Sequence, residues 1–204
     1  MDLSKQQGTQ LVKYIRKTLE EYYREKEPDI KQYVSEDMNE LISRGAAIYV
    51  TLLKYPSLSF RGSAGHILPI ISLGEAVREL TLKAAFRDTR FIPLMKSELR
   101  DTVVEFSILK RPVYLKAKSF ADYPGQIKIG RDGIAIEKEY TRVMLLPQVA
   151  MRRRWNSKQF LSFALLKGKI NPMIKQDRIR VYTFQAQVFR EEKPGGNIIE
   201  EEFS

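Results

Sequence analysis

The chain has 204 residues, of which 43% are hydrophobic and 29% charged, and its formal net charge is +10 at pH 7. This composition is typical of a soluble globular protein with one domain, or with one domain of two lobes, and it excludes a mainly disordered chain. Because the chain has no cysteine and only one histidine, disulfides, thiolate nucleophiles, zinc fingers and multi-histidine metal sites are excluded as well.

The longest apolar runs are far shorter than the roughly 20 residues that a membrane-spanning helix needs. The N-terminal residues lack a basic segment followed by an apolar one, so no secretory signal is visible. We therefore expect a cytoplasmic protein that does not associate with membranes. An all-carboxylate magnesium or calcium site stays open, but no calcium-loop spacing is present, and we predict no metal and no cofactor.

The first predicted elements are helical. Residues 6–27 have apolar side chains at helical spacing and predict an amphipathic helix that Pro28 ends. Residues 29–43 predict a second, weaker helix. The run 46–53 is rich in β-branched and aromatic residues, and it predicts a buried strand.

The stretch 59–65, Ser-Phe-Arg-Gly-Ser-Ala-Gly, follows this strand. Its two glycines, Gly62 and Gly65, predict a tight turn that exposes backbone N–H groups. Arg61 adds a fixed fork of donors, so the turn would suit an anion or a planar polar ligand. The alternative is a structural turn in which Arg61 pairs with a local carboxylate.

The next helix has a predicted start at Ser72, since Glu75 lies three residues on, at the spacing of a capping box. This helix runs to about residue 86 and leads into a polar turn at 87–93. A second strand is predicted at residues 103–109, where polar and apolar side chains alternate.

An Asp-Gly pair predicts a hairpin turn between the alternating segments 126–129 and 134–136. Two helical stretches follow, at 145–154 and 158–167. Residues 178–189 predict one long central strand, because both of its faces are partly apolar.

Helices and strands thus mix without a regular βαβ alternation, so the predicted fold class is α+β, with a mixed, mainly antiparallel sheet flanked by helices. We predict one domain of two lobes over residues 1–190, followed by an acidic C-terminal tail over 191–204. This tail holds five Glu and one Lys.

The positive charge is concentrated in residues 151–180, which hold nine Lys or Arg and one Asp. Such a region attracts nucleic acid or an acidic protein partner; the alternative is a solvated surface that the acidic tail partly neutralises. Within it, Arg152-Arg153-Arg154-Trp155, with Lys158 close by, resembles an arginine patch with an aromatic platform, which single-stranded nucleic acid can use. The other interpretation is a helix with solvated arginines and Trp155 packed in the core.

Several segments are recognisable when they are taken in order: 50–52, 60–65, 84–93, 105–109, 129–133, 145–150, Trp155 and 160–161. Together they resemble the AMMECR domain family, over roughly residues 8–190. The family hallmark is similar to Leu-Arg-Gly-Cys-Ile-Gly, and its arginine and glycines match Arg61, Gly62 and Gly65. Ser63 stands in place of the cysteine.

The resemblance implies an α+β protein with a larger and a smaller lobe and a cleft lined by the hallmark loop. It also implies a role in a modification pathway beside Memo-type or radical SAM proteins as partners, and nucleic-acid-related roles. If the family used the cysteine thiol, Ser63 would have lost the nucleophile, because an unactivated hydroxyl is far less reactive. If the loop works through backbone N–H groups and Arg61, serine serves as well, so the substitution favours binding over covalent catalysis.

Three functional hypotheses follow, and the sequence leaves the oligomeric state open. The first is a binding protein for a nucleotide, a modified base or nucleic acid, or for an acidic partner, with a ligand-binding group that consists of Arg61, Gly62, Ser63, Gly65 and Arg90. The second is an enzyme or enzyme subunit that uses one of three weak catalytic candidates, Asp88, Glu105 and Ser63, with Arg61 as an electrostatic clamp. The third is a protein-interaction scaffold.

The catalytic candidates also have plainer interpretations. Asp88 and Arg90 can pair with neighbours and fix their loop. Glu105 becomes a site candidate only if it is buried beside Arg61 or Arg90. Ser63 and His66 are three residues apart, but His66 opens an apolar stretch, which is typical of a structural histidine, and no third member of a triad is evident.

Overall fold

Helices and two antiparallel sheets build the molecule, which is described by a computed structural model over residues 2–173 and 178–203. The helices are α1 (Lys5–Tyr22), α2 (Asn39–Ser43), α3 (Leu73–Phe86), α4 (Pro147–Arg153) and α5 (Ser157–Lys167). The strands are β1 (Ile48–Lys54), β2 (Ser59–His66), β3 (Thr102–Leu109), β4 (Val113–Tyr114), β5 (Gly133–Lys138), β6 (Thr141–Leu145), β7 (Ile179–Phe184), β8 (Ala186–Glu191) and β9 (Ile198–Glu200). The α+β prediction is confirmed. No helix in the described ranges has both the length and the apolar character needed to cross a membrane.

The chain divides into two compact units. The larger unit contains the residues up to Leu109 together with Gln187–Glu201, and the smaller unit contains Lys110–Ala186 and the residues after Glu201. The larger unit holds a five-stranded sheet with the order β2-β1-β3-β8-β9. The smaller unit holds a four-stranded sheet with the order β4-β7-β5-β6.

Helix α1 begins at a capping box, in which the Ser4 hydroxyl accepts from the Gln7 N–H and the Gln7 side-chain oxygen accepts from the Ser4 N–H. Its apolar stripe, Leu11, Ile15 and Leu19, is fully buried in the core of the larger unit. The helix ends five residues before the predicted limit. Because residue 25 adopts a left-handed backbone with φ 57°, the helix cannot continue to Pro28.

Residues 29–43 do not form the single helix that was predicted from the sequence. Two short 3-10 turns, Ile30–Gln32 and Glu36–Met38, precede the five-residue α2. The Asp29 carboxylate accepts from the Lys31 N–H at 3.0 Å. This side chain thus satisfies a backbone donor locally, which is why aspartate favours turns over helix interiors.

The hairpin of the smaller unit lies elsewhere than predicted. Strand β5 pairs antiparallel with β6 and β7, whereas residues 126–129 form no strand. Asp132 explains the difference, because its carboxylate accepts from the Lys128 N–H at 2.9 Å and closes residues 128–132 into a loop. The prediction of a hairpin across the Asp-Gly pair is therefore wrong.

The predicted single strand over 178–189 is two strands. The chain leaves the four-stranded sheet at Gln185, and β8 enters the five-stranded sheet. Each of the two strands lies between two others in its own sheet, so each has the central position that was predicted for the single strand. Beyond Arg190, the acidic segment does not leave the fold at once, since Glu191 is only 2% exposed and β9 pairs with β8.

Candidate functional site

The hallmark stretch is a strand, so the prediction of a turn at 59–65 is wrong. It forms most of β2, which pairs antiparallel with β1 through Tyr49 with Gly65 and Thr51 with Ser63. The chain reverses earlier, in the turn after Lys54. The register of the pair shifts between Leu52 and Leu53.

This register shift determines which side chains share a face. Leu53 lies opposite Phe60 and Leu52 lies opposite Gly62, which leaves Arg61 as the extra residue of a β-bulge. In a regular strand, residues 60 and 63 would point to opposite faces. Because of the bulge, Phe60 and Ser63 lie on the same face of the sheet.

The two glycines serve close packing rather than a turn. A Cβ atom at Gly62 would lie 2.4 Å from the carbonyl oxygen of Ala84 in α3, and a Cβ at Gly65 would lie 2.3 Å from the ring of Tyr49. Neither glycine adopts a positive φ. They therefore allow α3 and an aromatic ring to approach the backbone of β2.

Arg61 is a buried structural residue, 3% exposed. Its Nε and Nη2 atoms donate to the two carboxylate oxygens of Glu98 at 2.9 and 3.0 Å, and Nη2 also donates to the Ile92 carbonyl at 3.0 Å. The hydrogen bonds from Arg61 outweigh the effect of burial and lower the pKa of Glu98 below its usual value. An ion pair of Arg61 is the alternative that the sequence left open, although the carboxylate comes from a residue 37 positions away. We therefore leave Arg61 out of the binding group proposed below.

Two residues of β2, Phe60 and Ser63, form a partly exposed cluster with Asp88 and Arg90. We call these four residues the β2 edge site. The Arg90 side chain is 48% exposed and donates to both Asp88 oxygens, from Nε at 2.7 Å and from Nη2 at 2.6 Å. Nη2 also donates to the Ser63 hydroxyl at 3.2 Å. The Arg90 Cζ atom lies 4.5 Å from the centroid of the Phe60 ring, a cation–π distance.

Asp88 is the buried member that joins this cluster through its hydrogen bonds. Its side chain is only 6% exposed, and it accepts the Ser63 N–H at 2.9 Å and the Arg90 N–H at 3.2 Å. Burial acts to raise the pKa of Asp88, but the hydrogen bonds from Arg90 and Ser63 outweigh it and lower that pKa below its ordinary value. A carboxylate with this many donors is a poor proton acceptor at neutral pH, which argues against Asp88 as a general base.

We expect Asp88→Asn to lower the free energy of unfolding at pH 7 by about 1 kcal/mol, since one neutral acceptor replaces a charge-assisted cluster at a partly solvated site. Because the folded-state pKa is depressed, this contribution is present above the unfolded pKa of about 3.9 and is lost as the pH falls through the folded value. Urea titrations of both proteins from pH 7 to pH 3 should therefore show the difference shrinking below about pH 4. A constant difference would contradict the assignment.

Ser63 and His66 do not form a nucleophile–base pair. They are three residues apart on an extended strand, where such side chains point to opposite faces. The Ser63 hydroxyl accepts from Arg90, whereas the charged group closest to the His66 Nε2 atom is the Glu79 carboxylate, at 3.8 Å. A guanidinium cannot remove a proton from a hydroxyl.

Glu105 lies on β3 opposite Thr51 and is 1% exposed. The carboxylates that pair with Arg61 and Arg90 are Glu98 and Asp88. Glu105 was a site candidate only if it is buried beside Arg61 or Arg90. The ion pairs of these two arginines give no support for such a position.

The basic residues of the sequence prediction lie around the junction of α4 and α5. Arg153, Arg154 and Lys158 are exposed, while Arg152 and Trp155 are half-buried. Arg153 and Arg154 thus face solvent, and Trp155 packs against the core of the smaller unit without being fully buried. Lys175, which contributes to the basic count, lies outside the described residues.

Phe60 is the member of the edge site that the sequence analysis missed. A glycine-rich stretch predicts a loop, and in a loop the direction of a phenylalanine is undetermined. Over residues 59–64, polar residues alternate with apolar or small ones, and this was the available signal for a strand. Even so, the bulge at Arg61 could not be deduced from that alternation.

Comparisons with known proteins show similarity over almost the whole chain. A family model described as AMMECR1 matches residues 12–189. Among the relatives, a Methanococcus aeolicus protein is 35% identical over 201 residues, covering 98% of each chain, and protein MJ0810 of Methanocaldococcus jannaschii is 38% identical over 199 residues, covering 97% of this chain and 96% of that one. The crystal structure of the uncharacterized protein PH0010 from Pyrococcus horikoshii is similar with a TM-score of 0.88 and 31% identity, over 98% of each chain.

Proposed function

This chain belongs to the AMMECR1 family, and from that premise we propose that it binds a small ligand with a planar ring and an anionic or polar substituent, such as a nucleotide or a modified base, at the β2 edge site. The observation that carries the proposal is the state of the Arg90 guanidinium. It is half-exposed, yet Asp88, Ser63 and Phe60 fix its position. A donor that is held in place before binding loses little conformational entropy when a ligand arrives.

Two donors of Arg90 remain for a ligand. Nε and Nη2 are used within the protein, whereas no acceptor for Nη1 is found in the part of the chain that the structure describes. The two N–H groups of Nη1 suit a phosphate or carboxylate oxygen, or the acceptor edge of a base. Asp88 neutralises the charge of Arg90. Selectivity for a ligand therefore comes from the directed N–H donors of Nη1 and not from net charge.

Apolar side chains next to the guanidinium suit a planar ring. The Phe60 ring lies 5.5 Å from that of Phe91, and the next residue, Ile92, is 69% exposed. Met95 follows at 52% exposure. Small-molecule sites combine apolar and aromatic side chains with a few fixed polar donors, and Phe60 and Arg90 supply one of each here.

An enzymatic role has weaker support. It would require a proton acceptor for Ser63, and the neighbouring carboxylate of Asp88 is already saturated with hydrogen bonds. A binding role requires only the donors and the ring surface. This contrast is why we place binding ahead of catalysis.

The proposal predicts that millimolar AMP, GMP, CMP or UMP raises the unfolding temperature of the wild-type chain, by an amount set by ligand concentration over Kd. Arg90→Gln should abolish the shift, and Arg90→Lys should reduce it, because lysine lacks the planar fork. The matched control is Arg87→Gln, which removes an exposed guanidinium three residues away. Inorganic phosphate and the free nucleosides, tested separately, show which part of the nucleotide is recognised.

Ser63→Cys gives an independent readout, because the chain has no cysteine of its own. The new thiol would be the only target for iodoacetamide, and a bound nucleotide should slow its alkylation. If no mononucleotide shifts the unfolding temperature or protects this thiol, or if Arg90→Gln responds like the wild type, the proposal is wrong.

A further inference from the structure

The excess of positive over negative charge lies in one of the two units of the protein. Residues 110–186 hold 17 Lys and Arg against 5 Asp and Glu, whereas the rest of the chain holds 18 against 20. From residue 140 to residue 176 the sequence contains no acidic residue at all. This segment contains β6, α4 and α5, so the α4–α5 junction lies in a stretch with no carboxylate of its own.

Three cations at this junction are exposed. Arg153, Arg154 and Lys158 face solvent, and no ion pair to any of them is found within residues 2–173 and 178–203. Arg153 lies in the last turn of α4, where a cation is favoured by the helix dipole. The helix dipole is therefore a sufficient explanation for the position of Arg153, but not for the positions of the other two cations.

The other two cations are placed at a local cost. Arg154 has a left-handed backbone with φ 53° and ψ 40°, a conformation that favours glycine. Lys158 is the second residue of α5, where the positive end of the helix dipole repels a cation. Residues kept in positions that disfavour them are typical of functional surfaces.

Aromatic rings accompany these cations. The Arg153 Cζ atom lies 5.8 Å from the centroid of the Trp155 ring, and the Trp155 ring lies 4.6 Å from that of Phe163. Trp155 is half-buried, Phe163 is 36% exposed, and Leu166 on the same helix is 73% exposed. The junction thus combines partly exposed aromatic side chains with guanidinium and ammonium groups for which the described residues supply no ion pair.

We propose that the α4–α5 junction, formed by Arg153, Arg154, Trp155, Lys158 and Phe163, binds single-stranded nucleic acid. Its cations contact successive phosphates, and its rings stack with bases, which is how single strands are held without sequence preference. An acidic protein would satisfy the cations but would have no use for the ring faces. The rings therefore favour a nucleic acid over an acidic polypeptide, and this site is separate from the β2 edge site.

The experiment uses Trp155 as its own reporter, because it is the only tryptophan in the chain. Titration of the full-length protein with a 15-nucleotide oligo(dT) or oligo(U) should quench its fluorescence, and the logarithm of the binding constant should fall linearly with the logarithm of salt concentration. Poly-glutamate and a 15-base-pair duplex serve as comparison ligands. The single strands should bind more tightly than either and quench more strongly.

Arg154→Gly is the decisive variant. Glycine adopts the left-handed backbone without strain, so the variant should be at least as stable as the wild type to heat. It should nevertheless bind the oligonucleotide about fivefold more weakly, with a salt slope flatter by about 0.7, the change expected for one lost phosphate contact. Lys158→Ala should behave in the same way.

The matched control removes the same charge from the other unit. Lys13 and Lys26 are exposed on or just after α1, and the single variants Lys13→Ala and Lys26→Ala should each leave the affinity and the salt slope unchanged. Equal binding of poly-glutamate and oligonucleotide would overturn the proposal in favour of an acidic protein partner. A wild-type affinity in Arg154→Gly, or equal losses in the control, would overturn it in favour of non-specific attraction.

Discussion

Replacing Arg16 with methionine is expected to lower the free energy of unfolding by about 3–5 kcal/mol, the usual cost of leaving a buried charge unpaired. The charge in question is Glu191, 2% exposed, whose two oxygens accept from Arg16 Nε at 2.9 Å and Nη2 at 2.5 Å. Arg16 also donates to the carbonyls of Leu99 and Thr102, and Glu191 accepts the Val104 N–H. The pair therefore joins α1, β3 and β8, and its loss affects all three.

Urea denaturation at pH 7 measures this effect. A matched control is Arg44→Met, which removes an exposed guanidinium from its ion pair with Glu40 and should cost no more than about 0.5 kcal/mol. The double variant Arg16→Met with Glu191→Leu should recover most of the loss, because no buried charge remains. A loss below about 1 kcal/mol in the single variant would show that water or another cation replaces Arg16.

Arg61→Met is expected to cost about 2–3 kcal/mol, less than Arg16→Met because Glu98 is 24% exposed and solvent takes up part of its charge. The depressed pKa of Glu98 gives this loss a pH dependence. The stability that the ion pair provides is present above the unfolded pKa of about 4.3 and disappears as the pH falls through the folded value. The difference between wild type and variant should therefore shrink below about pH 4.

The same variant separates structure from ligand binding. If Arg61 is structural, the folded Arg61→Met protein keeps its response to nucleotides, whereas Arg90→Gln loses that response without a comparable loss of stability. Arg61→Lys should fall between wild type and Arg61→Met, since it keeps the charge but cannot form the two parallel hydrogen bonds to Glu98. Intact stability together with lost nucleotide binding in Arg61→Met would return Arg61 to the binding group.

Local signals in the sequence predict several elements well. The capping box at Ser72 and Glu75 marks the start of α3, and its small residues, among them Ala84, allow the helix to lie close to β2. The apolar run over 46–53 corresponds to β1. These elements are specified by residues within a few positions of each other, which is why a single sequence suffices.

The failures at the hallmark stretch share a physical cause, which is contact with residues far along the chain. Gly62 and Gly65 predict a turn by their own conformational freedom, yet the strand needs them because Ala84 and Tyr49 lie against the backbone. Arg61 was predicted to bind a ligand because its partner in the structure, Glu98, is 37 residues away and could not be identified from the sequence. Such close approaches and ion pairs follow from packing, and composition carries no information about them.

The acidic segment after residue 190 illustrates a limit of charge counting. Five glutamates within 14 residues predict a solvated tail. Glu191 nevertheless lies in the core with Arg16, and Glu201 lies 3.4 Å from Arg190. A carboxylate is buried when a buried cation compensates it, and the net charge of a segment does not reveal that pairing.

Strand β8 is synthesised only after the whole of residues 110–186, although it belongs beside β3. At translation rates of about 5–20 residues per second, the ribosome spends roughly 4–15 s on that interval. Throughout it, one side of β3 has unpaired N–H and C=O groups, an open edge to which a neighbouring nascent chain can add. We therefore expect the yield of correctly folded protein to depend on elongation speed and on chaperones that shield β3 during this delay.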